Sequence, residues 1–358
     1  MSLGSALRTV GKYAALGVAG AVGTAAATSA LRAKAGELEP ALDGTQHAYR
    51  WRGMDVAYTE AGDDADETLV LVHGVNAAAS SGEWRAVFDR LAEEFHVVAP
   101  DLPGFGCSDR PALRYSAALY EDFVADFLGE YESPRVVVSS LTGAYVAAAA
   151  SDAADDPESD LDVADLSLVC PTAVAGPEPP KTWLRELLRS PVVGDAAFSL
   201  LASKPSIRYF NEDHGYWNPE RVGEQWVDYE WRTAHQPNAR FAPASFVSGH
   251  LNSDVDLGDA LAGLDCPVTL LWGREADLPP LADGRDLAAA ADAELVVFDE
   301  AMLLPHVEFP AQFAAVVADE VDAGGDEADA EGGDETTVTV ERDGDDGDDG
   351  DAAGDADA

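Results

Sequence analysis

The sequence predicts an α/β fold in which a mostly parallel sheet is covered by helices on both faces and carries a helical insertion. Short apolar runs rich in β-branched residues alternate with longer segments of helical periodicity. Strands buried on both faces are continuously apolar, because helices cover both sides of a parallel sheet. Apolar residues make up 47% of the 358 residues, which is enough for one large core.

The predicted elements follow one another from residue 49 to residue 298. Residues 49–58, with Gly53 in the middle, are typical of a two-stranded hairpin. Beyond the hairpin, predicted strands lie at 68–73, 96–100, 135–139, 166–170, 268–272 and 295–298. Predicted helices lie at 83–94, at 116–131 and in the alanine-rich run that ends at residue 150.

Two segments lie before and after the predicted folded domain of residues 37–322. In residues 1–36, the run 13–31 carries no charge. As a helix it spans about 28 Å, close to a bilayer core of about 30 Å, although its residues are mostly Ala and Gly. It is therefore a candidate membrane anchor, a cleaved signal, or a soluble helix or arm, and the protein is expected in the cytoplasm or anchored to a membrane. Residues 323–358 are acidic and are predicted to be disordered, with one β-prone patch at 336–340.

The formal net charge is −45, and only four of the 22 basic residues are lysines. The tail from Asp322 to Ala358 contributes −15 of this charge, so the folded part is acidic as well. An acidic, lysine-poor surface favours a halophilic protein, because concentrated salt screens the repulsion between its charges. It excludes binding to nucleic acid phosphates. The three cysteines are widely spaced and predict neither a disulfide framework nor a zinc site, and no cofactor is expected.

Three motifs carry the candidate chemistry: LVLVHG at 69–74, DLPGFGCS at 101–108 and VVVSSLTG at 136–143. The last is a strand running into a turn of small residues and then a helix. Such a turn exposes one side chain at a helix N-terminus, which favours negative charge. Ser140 is the candidate nucleophile; Thr142 is the alternative, and a third interpretation is that both hydroxyls only cap the helix.

These motifs resemble the α/β-hydrolase superfamily. With WGREA at 272–276 and LLPH at 303–306, residues 37–321 resemble a haloarchaeal and bacterial branch that carries an SSLTGAY-like elbow. The resemblance implies that the backbone amides of Val75 and Leu141 form an oxyanion hole and that His73 shapes its loop. It also implies that the insertion at about 175–264, which begins with three prolines and contains four tryptophans, is a lid over the site.

At the two positions where the superfamily places its catalytic acid and histidine, this sequence has Ala276 and Leu303. Asp277 lies one residue after the acid position and is the candidate orienting carboxylate. His306 lies three residues after the histidine position and is the candidate base. The insertion offers further candidate bases, namely His214, His235 and His250.

Two classes of function follow from these residues. The first is a serine hydrolase with a non-standard triad that acts on a small ester, thioester or other acyl substrate. The second is a homologue that has lost hydrolysis and acts as a binding or scaffolding protein, which the replacements at positions 276 and 303 favour. Other chemistry in the same pocket, such as a lyase reaction, is a third hypothesis.

Overall fold

The computed structural model describes residues 25–156, 159, 161–319 and 338–341, and it confirms the predicted fold class. The strands are β1 (Thr45–Trp51), β2 (Met54–Ala61), β3 (Thr68–Val72), β4 (His96–Pro100), β5 (Arg135–Ser139), β6 (Asp165–Val169), β7 (Val268–Gly273), β8 (Glu294–Phe298) and β9 (Val338–Glu341).

The helices alternate with these strands. The α-helices are α1 (described over 25–35), α2 (Phe88–Leu91), α3 (Ala117–Leu128), α4 (Thr142–Asp155), α5 (Thr182–Arg189), α6 (Val193–Leu201), α7 (Lys204–Phe210), α8 (Glu224–Ala234), α9 (Phe241–Phe246), α10 (Leu257–Ala262), α11 (Leu281–Ala291), α12 (Pro305–Glu308) and α13 (Pro310–Val317). Two 3₁₀ turns (Ser81–Ala86 and Pro219–Arg221) and one π-helical turn (Asn211–Gly215) complete the set.

The strands form one sheet in the order β1-β2-β4-β3-β5-β6-β7-β8-β9. The six strands from β4 to β8 pair in parallel, whereas β1, β2 and β9 join antiparallel at the two sides. The carboxyl ends of β3, β5, β7 and β8 therefore open onto one edge of the sheet. In open α/β sheets this edge is where ligands bind.

Each parallel strand is buried on both faces, as its continuous apolar sequence predicts. In β3, Val70 and Val72 belong to one apolar cluster, while Leu69 and Leu71 belong to the cluster on the opposite face. The alternation follows from the two-residue period of a strand. Helices cover both faces of these parallel strands, whereas β1 at the side of the sheet is mostly exposed.

A helical insertion lies between β6 and β7, as predicted, and its helices are α5 to α10. Helix α1 packs against it. Arg32 pairs with Asp195 of α6 at 2.9 Å, and Arg232 of α8 donates to the Ala35 carbonyl at 3.0 Å. The start of the described chain is thus attached to the insertion rather than to the sheet.

Three predicted boundaries need correction. The helix expected at 83–94 is a 3₁₀ turn followed by the short α2, because its inward-facing residues include Glu83, whose carboxyl bonds to the backbone of Gly74. Within the tail expected to be disordered, Val338–Glu341 forms β9, because the edge of β8 offers unpaired backbone groups to an alternating Val-Thr-Val-Glu segment. Of the expected membrane segment 13–31, residues 25–31 belong to α1, and residues 13–24 lie outside the described residues.

None of the helices in the described ranges combines the length and hydropathy that crossing a bilayer requires. The expected membrane anchor at 13–31 therefore stays a prediction that depends on residues before Ala25, which lie outside the described residues.

Candidate active site

Ser140 occupies the turn between β5 and α4, as the sequence predicts. Its φ angle is 53°, in the left-handed region that a residue with a Cβ rarely adopts. Its backbone N–H donates to the Val169 carbonyl at 2.9 Å, which holds this conformation against the end of β6. The side chain is half-buried rather than sealed in the core. Strain held at one residue in this way is typical of functional positions.

The two alternatives to Ser140 are wrong. The Thr142 hydroxyl is fully buried and donates to the His73 carbonyl at 2.9 Å, so it joins the elbow to the loop after β3. No side chain caps the N-terminus of α4. Of the two hydroxyls, therefore, only that of Ser140 lies where a substrate could reach it.

The backbone amides expected to form an oxyanion hole are free of protein partners. Among the described residues, neither the N–H of Val75 nor that of Leu141 donates to any acceptor. Leu141 also lies at the N-terminus of α4, where the helix dipole favours negative charge. Unpaired amides next to a candidate nucleophile are what an oxyanion requires.

His73 shapes the loop beside this site, in line with the expectation that it is structural. Its Nδ1 lies 2.6 Å from the Gly74 carbonyl oxygen, and its Nε2 accepts the Leu102 N–H at 3.0 Å. Complete burial lowers the pKa of His73, although Asp101 and the Gly74 carbonyl oppose this effect. Both ring nitrogens are occupied, so neither can take a proton from Ser140.

The buried carboxyl group of Glu83 lies beside the elbow. Its Oε2 accepts the Gly74 N–H at 3.0 Å, and its Oε1 has no hydrogen-bond partner. A Cβ placed on Gly74 would lie within 3.5 Å of Ser139 Oγ, Ser140 Cβ and Glu83 Oε2, so these three groups surround one point. The Ser139 and Ser140 hydroxyl oxygens are 3.4 Å apart. Burial raises the pKa of Glu83, and the facing Ser139 hydroxyl partly offsets the rise.

The structure does not bring His306, the predicted base, to Ser140. Pro305 starts the short helix α12, which turns the His306 ring inward between the rings of Trp84, at 4.5 Å, and Phe313, at 5.5 Å. His306 is fully buried, and neither ring nitrogen has a hydrogen-bond partner. A base must lie within hydrogen-bond reach of the proton that it takes, so this assignment is corrected.

The polar group nearest to His306 is Glu83, whose Oε1 lies 3.7 Å from His306 Nε2. Burial, assisted by the positive charge of Arg85, lowers the pKa of His306 to about 3. Burial shifts the pKa of Glu83 in the opposite direction. Both effects favour the uncharged forms, so the contact is not an ion pair.

Asp277 pairs with a histidine, but with His214 of the insertion rather than with His306. His214 Nδ1 lies 3.1 Å from Asp277 Oδ2, and its Nε2 lies 3.3 Å from Asp213 Oδ2. Asp277 is exposed in the loop after β7, and His214 lies in the π-helical turn after α7. Single π-helical turns occur frequently at functional sites.

The two residues expected at the superfamily's acid and histidine positions, Ala276 and Leu303, pack on one core cluster. Ala276 is buried in that cluster, and Leu303 is partly buried against it. The neighbouring Glu275 accepts the Ala301 N–H at 3.2 Å and so closes the two loops against each other. Neither side chain carries the carboxylate or imidazole that the resemblance led us to expect there.

Two further buried carboxyls fix the insertion to its surroundings. Glu230 of α8 accepts from Asn211 Nδ2 at 2.7 Å and so supports the π-helical turn that carries His214. Burial raises the pKa of Glu230 to about 7. Glu308 accepts the backbone N–H groups of Trp217 and Asn218 at 3.0 and 3.1 Å, which ties the insertion to α12.

A sequence model of the alpha/beta hydrolase family matches residues 69–316, more than half of the chain. The chain belongs to the alpha/beta hydrolase family. An uncharacterised protein of Mycobacterium tuberculosis is 36% identical over 94 residues, which cover 26% of this chain but only 25% of that protein. The 2-hydroxymuconate semialdehyde hydrolase of Pseudomonas sp. (strain CF600) is 27% identical over 264 residues, or 70% of this chain and 85% of that enzyme.

A solved structure gives the same result for the fold. The 2-hydroxy-6-oxo-6-phenylhexa-2,4-dienoate hydrolase of Rhodococcus sp. strain RHA1 superposes with a TM-score of 0.63 at 23% identity, covering 78% of this chain and 98% of that chain. At this identity the likeness concerns the fold. The relatives named here that have an assigned activity are hydrolases.

Sequence reasoning missed Glu83 as a site residue and the pairing of His214 with Asp277. Glu83 had one signal: an acid immediately before Trp84, on the side of the segment that carries the apolar residues. His214 and Asp277 are 63 residues apart, and no local pattern connects them. Groups of three or more metal-ligating side chains do not occur among the described residues, and the three cysteines are free.

Proposed function

We propose that the protein is a serine hydrolase of small acyl compounds in which Ser140 is the nucleophile. The observation that carries the proposal is the elbow itself: a strained, half-buried serine at φ 53° next to two amides without protein partners. Ser140 Oγ bonds to the carbonyl carbon of the substrate, and the N–H groups of Val75 and Leu141 hold the resulting oxyanion. Removing one such donor typically slows the reaction by about 10² to 10³.

The proton of Ser140 goes to Glu83 by way of Ser139. Ser139 Oγ lies 3.4 Å from Ser140 Oγ and also faces the Glu83 carboxyl. Hydroxyl hydrogens rotate, so Ser140 can donate to Ser139 while Ser139 donates to Glu83. When the tetrahedral intermediate collapses, the leaving group takes the proton back along the same path. A water molecule then attacks the acyl-enzyme and gives up its proton to Glu83 along the same path. The proton returns to Ser140 as the acid is released.

Glu83 fits this role because burial raises the pKa of its carboxyl, and a carboxylate of raised pKa is a stronger base. The reaction should therefore speed up as pH rises through that raised pKa. His214 is the competing base. Each of its nitrogens faces a carboxylate, Asp277 on one side and Asp213 on the other, so neither is directed at Ser140 in this structure.

The substrate class is inferred from the 2-hydroxymuconate semialdehyde hydrolase, of which the chain covers 85%. That enzyme, by its name, hydrolyses 2-hydroxymuconate semialdehyde. We infer a small organic substrate that carries an activated carbonyl group. Esters and thioesters are the simplest compounds of this kind. The insertion, which follows β6 and contacts the loops after β7 and β8, acts as the lid over this substrate.

A second candidate function is a binding protein that has lost hydrolysis. The packing of Ala276 and Leu303 on the core favours it, because a standard acid and histidine cannot assemble there. In this alternative, Ser140 and the free amides would bind a carbonyl or carboxylate ligand without attacking it.

Labelling of Ser140 by a fluorophosphonate, together with hydrolysis of p-nitrophenyl butyrate, tests the proposal in concentrated salt. The wild type should be labelled, and Ser140→Ala should not. Glu83→Gln should slow labelling by about 10² to 10⁴, the usual contribution of a general base. Glu230→Gln is the matched control, because it removes another buried carboxylate that does not contact Ser139.

Ser139→Ala should slow labelling in the same way as Glu83→Gln, whereas His214→Ala should leave it unchanged. If the folded wild type is not labelled, the binding protein is the better description. If labelling persists in Glu83→Gln and disappears in His214→Ala, the serine hydrolase stands and the base is His214.

A further inference from the structure

Exposed apolar side chains are concentrated on one part of the molecule. In the described ranges, eleven large hydrophobic side chains are exposed, and nine of them lie between residues 174 and 217. These nine form what we term the apolar face: Val174, Trp183, Leu187, Val193, Leu200, Leu201, Tyr209, Phe210 and Trp217. The most exposed are Leu200 at 75%, Trp183 at 67% and Tyr209 at 63%. Concentrations of this kind mark interaction surfaces, whereas isolated exposed apolar residues are ordinary.

The other two exposed apolar residues lie next to the same surface. Arg189 of α5 donates to the Leu113 carbonyl, and Leu278 follows Asp277, which pairs with His214. The apolar surface thus extends over the first half of the insertion and onto the loops that contact it.

The apolar face is electrically unlike the rest of the protein. Residues 174–217 contain five acidic and five basic side chains, so their formal charge is zero, while the whole chain carries −45. Two of the four lysines, Lys181 and Lys204, lie in this segment. An anionic partner or membrane repels the remaining surface, but apolar contact at this neutral face is not opposed by local charge.

Helix α1, where the described chain begins, lies against a helix that carries part of the apolar face. Thr28 and Arg32 of α1 line one crevice with Asp195 and Phe198 of α6. The same helix α6 carries three members of the apolar face, Val193, Leu200 and Leu201. The twelve residues 13–24 that lead into α1 carry no charge and consist mostly of Ala, Gly, Val and Leu. The described chain thus begins beside α6, and the sequence before it is apolar.

We propose that the apolar face lies in the headgroup and acyl boundary of a lipid bilayer, beside the uncharged residues 13–24. Trp and Tyr side chains favour this boundary because their rings are apolar and their N–H and O–H groups remain hydrated. Stable attachment to a membrane generally takes two signals, and the face and the preceding segment supply one each. Binding is driven by apolar burial, so it persists in salt that abolishes electrostatic attraction.

Quenching of tryptophan fluorescence by phosphatidylcholine vesicles with brominated acyl chains tests this proposal on the full-length protein. Residues 1–24 contain no tryptophan, and Trp51, Trp84, Trp231 and Trp272 are buried. Trp226 is half-buried, with Arg85 lying over its ring at 3.7 Å. Quenching therefore reports chiefly on Trp183 and Trp217 of the apolar face, which are 67% and 49% exposed. We expect quenching that persists in 1 M salt and that falls in Trp183→Leu.

Leu200→Glu should weaken vesicle binding by about tenfold to a hundredfold, since burying one leucine stabilises by about 1.5–3 kcal/mol. Ala289→Glu on α11 is the matched control, because it adds the same charge to an exposed position outside the insertion. Both variants should unfold at the wild-type temperature, since neither position is in the core.

Three results would overturn the proposal. Vesicle binding without tryptophan quenching would mean that residues 1–24 act alone. Absence of vesicle binding by the folded protein would remove the membrane as partner. Dimers in sedimentation experiments that Leu200→Glu dissociates, without quenching by vesicles, would identify a second copy of the chain as the occupant.

Discussion

Replacing His306 by leucine should make the protein more resistant to acid. The ring lies fully buried between Trp84 and Phe313, and its two nitrogens have no hydrogen-bond partner. Burying a polar group without a partner costs about 1–3 kcal/mol, and leucine fills a similar volume without that cost. His306→Leu should therefore be neutral or stabilising already at pH 7.5.

The larger effect depends on pH. Burial lowers the pKa of His306 to about 3 from an ordinary value of 6.5. Between these values the unfolded chain binds a proton that the folded protein does not, so the stability of the wild type falls as pH falls below about 6.5. At pH 5 this penalty is about 2 kcal/mol, because each pH unit within the window contributes about 1.4 kcal/mol. Leucine has no proton to bind, so the advantage of His306→Leu should grow by about 2 kcal/mol between pH 7.5 and pH 5.

Urea unfolding followed by tryptophan fluorescence, in the same concentrated salt at pH 7.5, 6 and 5, measures this difference. The comparison of variant with wild type cancels the titrating groups that do not contact residue 306, Glu230 included. His47→Leu, on the exposed strand β1, is the control for loss of a histidine at the surface. A constant difference between His306→Leu and wild type at the three pH values would refute the reasoning. Loss of Ser140 labelling in a folded His306→Leu would restore His306 as the base.

Three further predictions concern stability and the missing triad. Burial raises the pKa of Glu230 to about 7 from 4.5, so the stability of the wild type falls as pH rises between these values. Glu230→Gln should therefore be more stable than wild type by about 3 kcal/mol at pH 8 but not at pH 4.5. Urea unfolding at the two pH values checks this. Gly106→Ala should destabilise the fold by more than about 1 kcal/mol, because φ is 47° and the new Cβ would lie 2.0 Å from Asp101 Oδ1. Gly53→Ala should cost less, because its new Cβ meets no atom within 4 Å. Thermal unfolding compares the two variants. The double change of Ala276→Asp and Leu303→His should speed fluorophosphonate labelling of Ser140 by about 10² or more while lowering the unfolding temperature, and unchanged labelling would mean that the two positions do not meet Ser140.

The sheet and the elbow could be predicted because their signals are local. Each parallel strand is a continuous apolar run, and both faces of β3 and β5 are indeed buried. The position of Ser140 follows from a strand that ends in small residues before a helix. Its role as the nucleophile stays a prediction, as do the roles of the Val75 and Leu141 amides.

The partners of the charged residues could not be predicted, because they depend on long-range packing. The sequence predicts His306 in a loop that could reach Ser140. In the structure, Pro305 begins a single helical turn that buries the His306 ring away from the site. Asp277 finds its histidine in the insertion, 63 residues away in sequence. The acidic composition of the tail predicted disorder, but the alternating segment Val338–Glu341 pairs with β8.

The replacement of the standard acid and histidine has a physical logic that links stability to chemistry. A buried acid–histidine pair needs polar partners, and exchanging such a pair for apolar side chains is often neutral or stabilising. Ala276 and Leu303 make that exchange on the core cluster. The polar group that remains next to Ser139 and Ser140 is Glu83, held by the Gly74 amide with one oxygen unpartnered. An unpaired buried carboxyl oxygen is costly, and a fold that had abandoned chemistry would gain stability by losing it. In the proposed hydrolase this carboxyl takes the proton of Ser140, and Glu83→Gln separates the two accounts: it should stabilise the fold above the raised pKa of Glu83 while slowing the attack of Ser140.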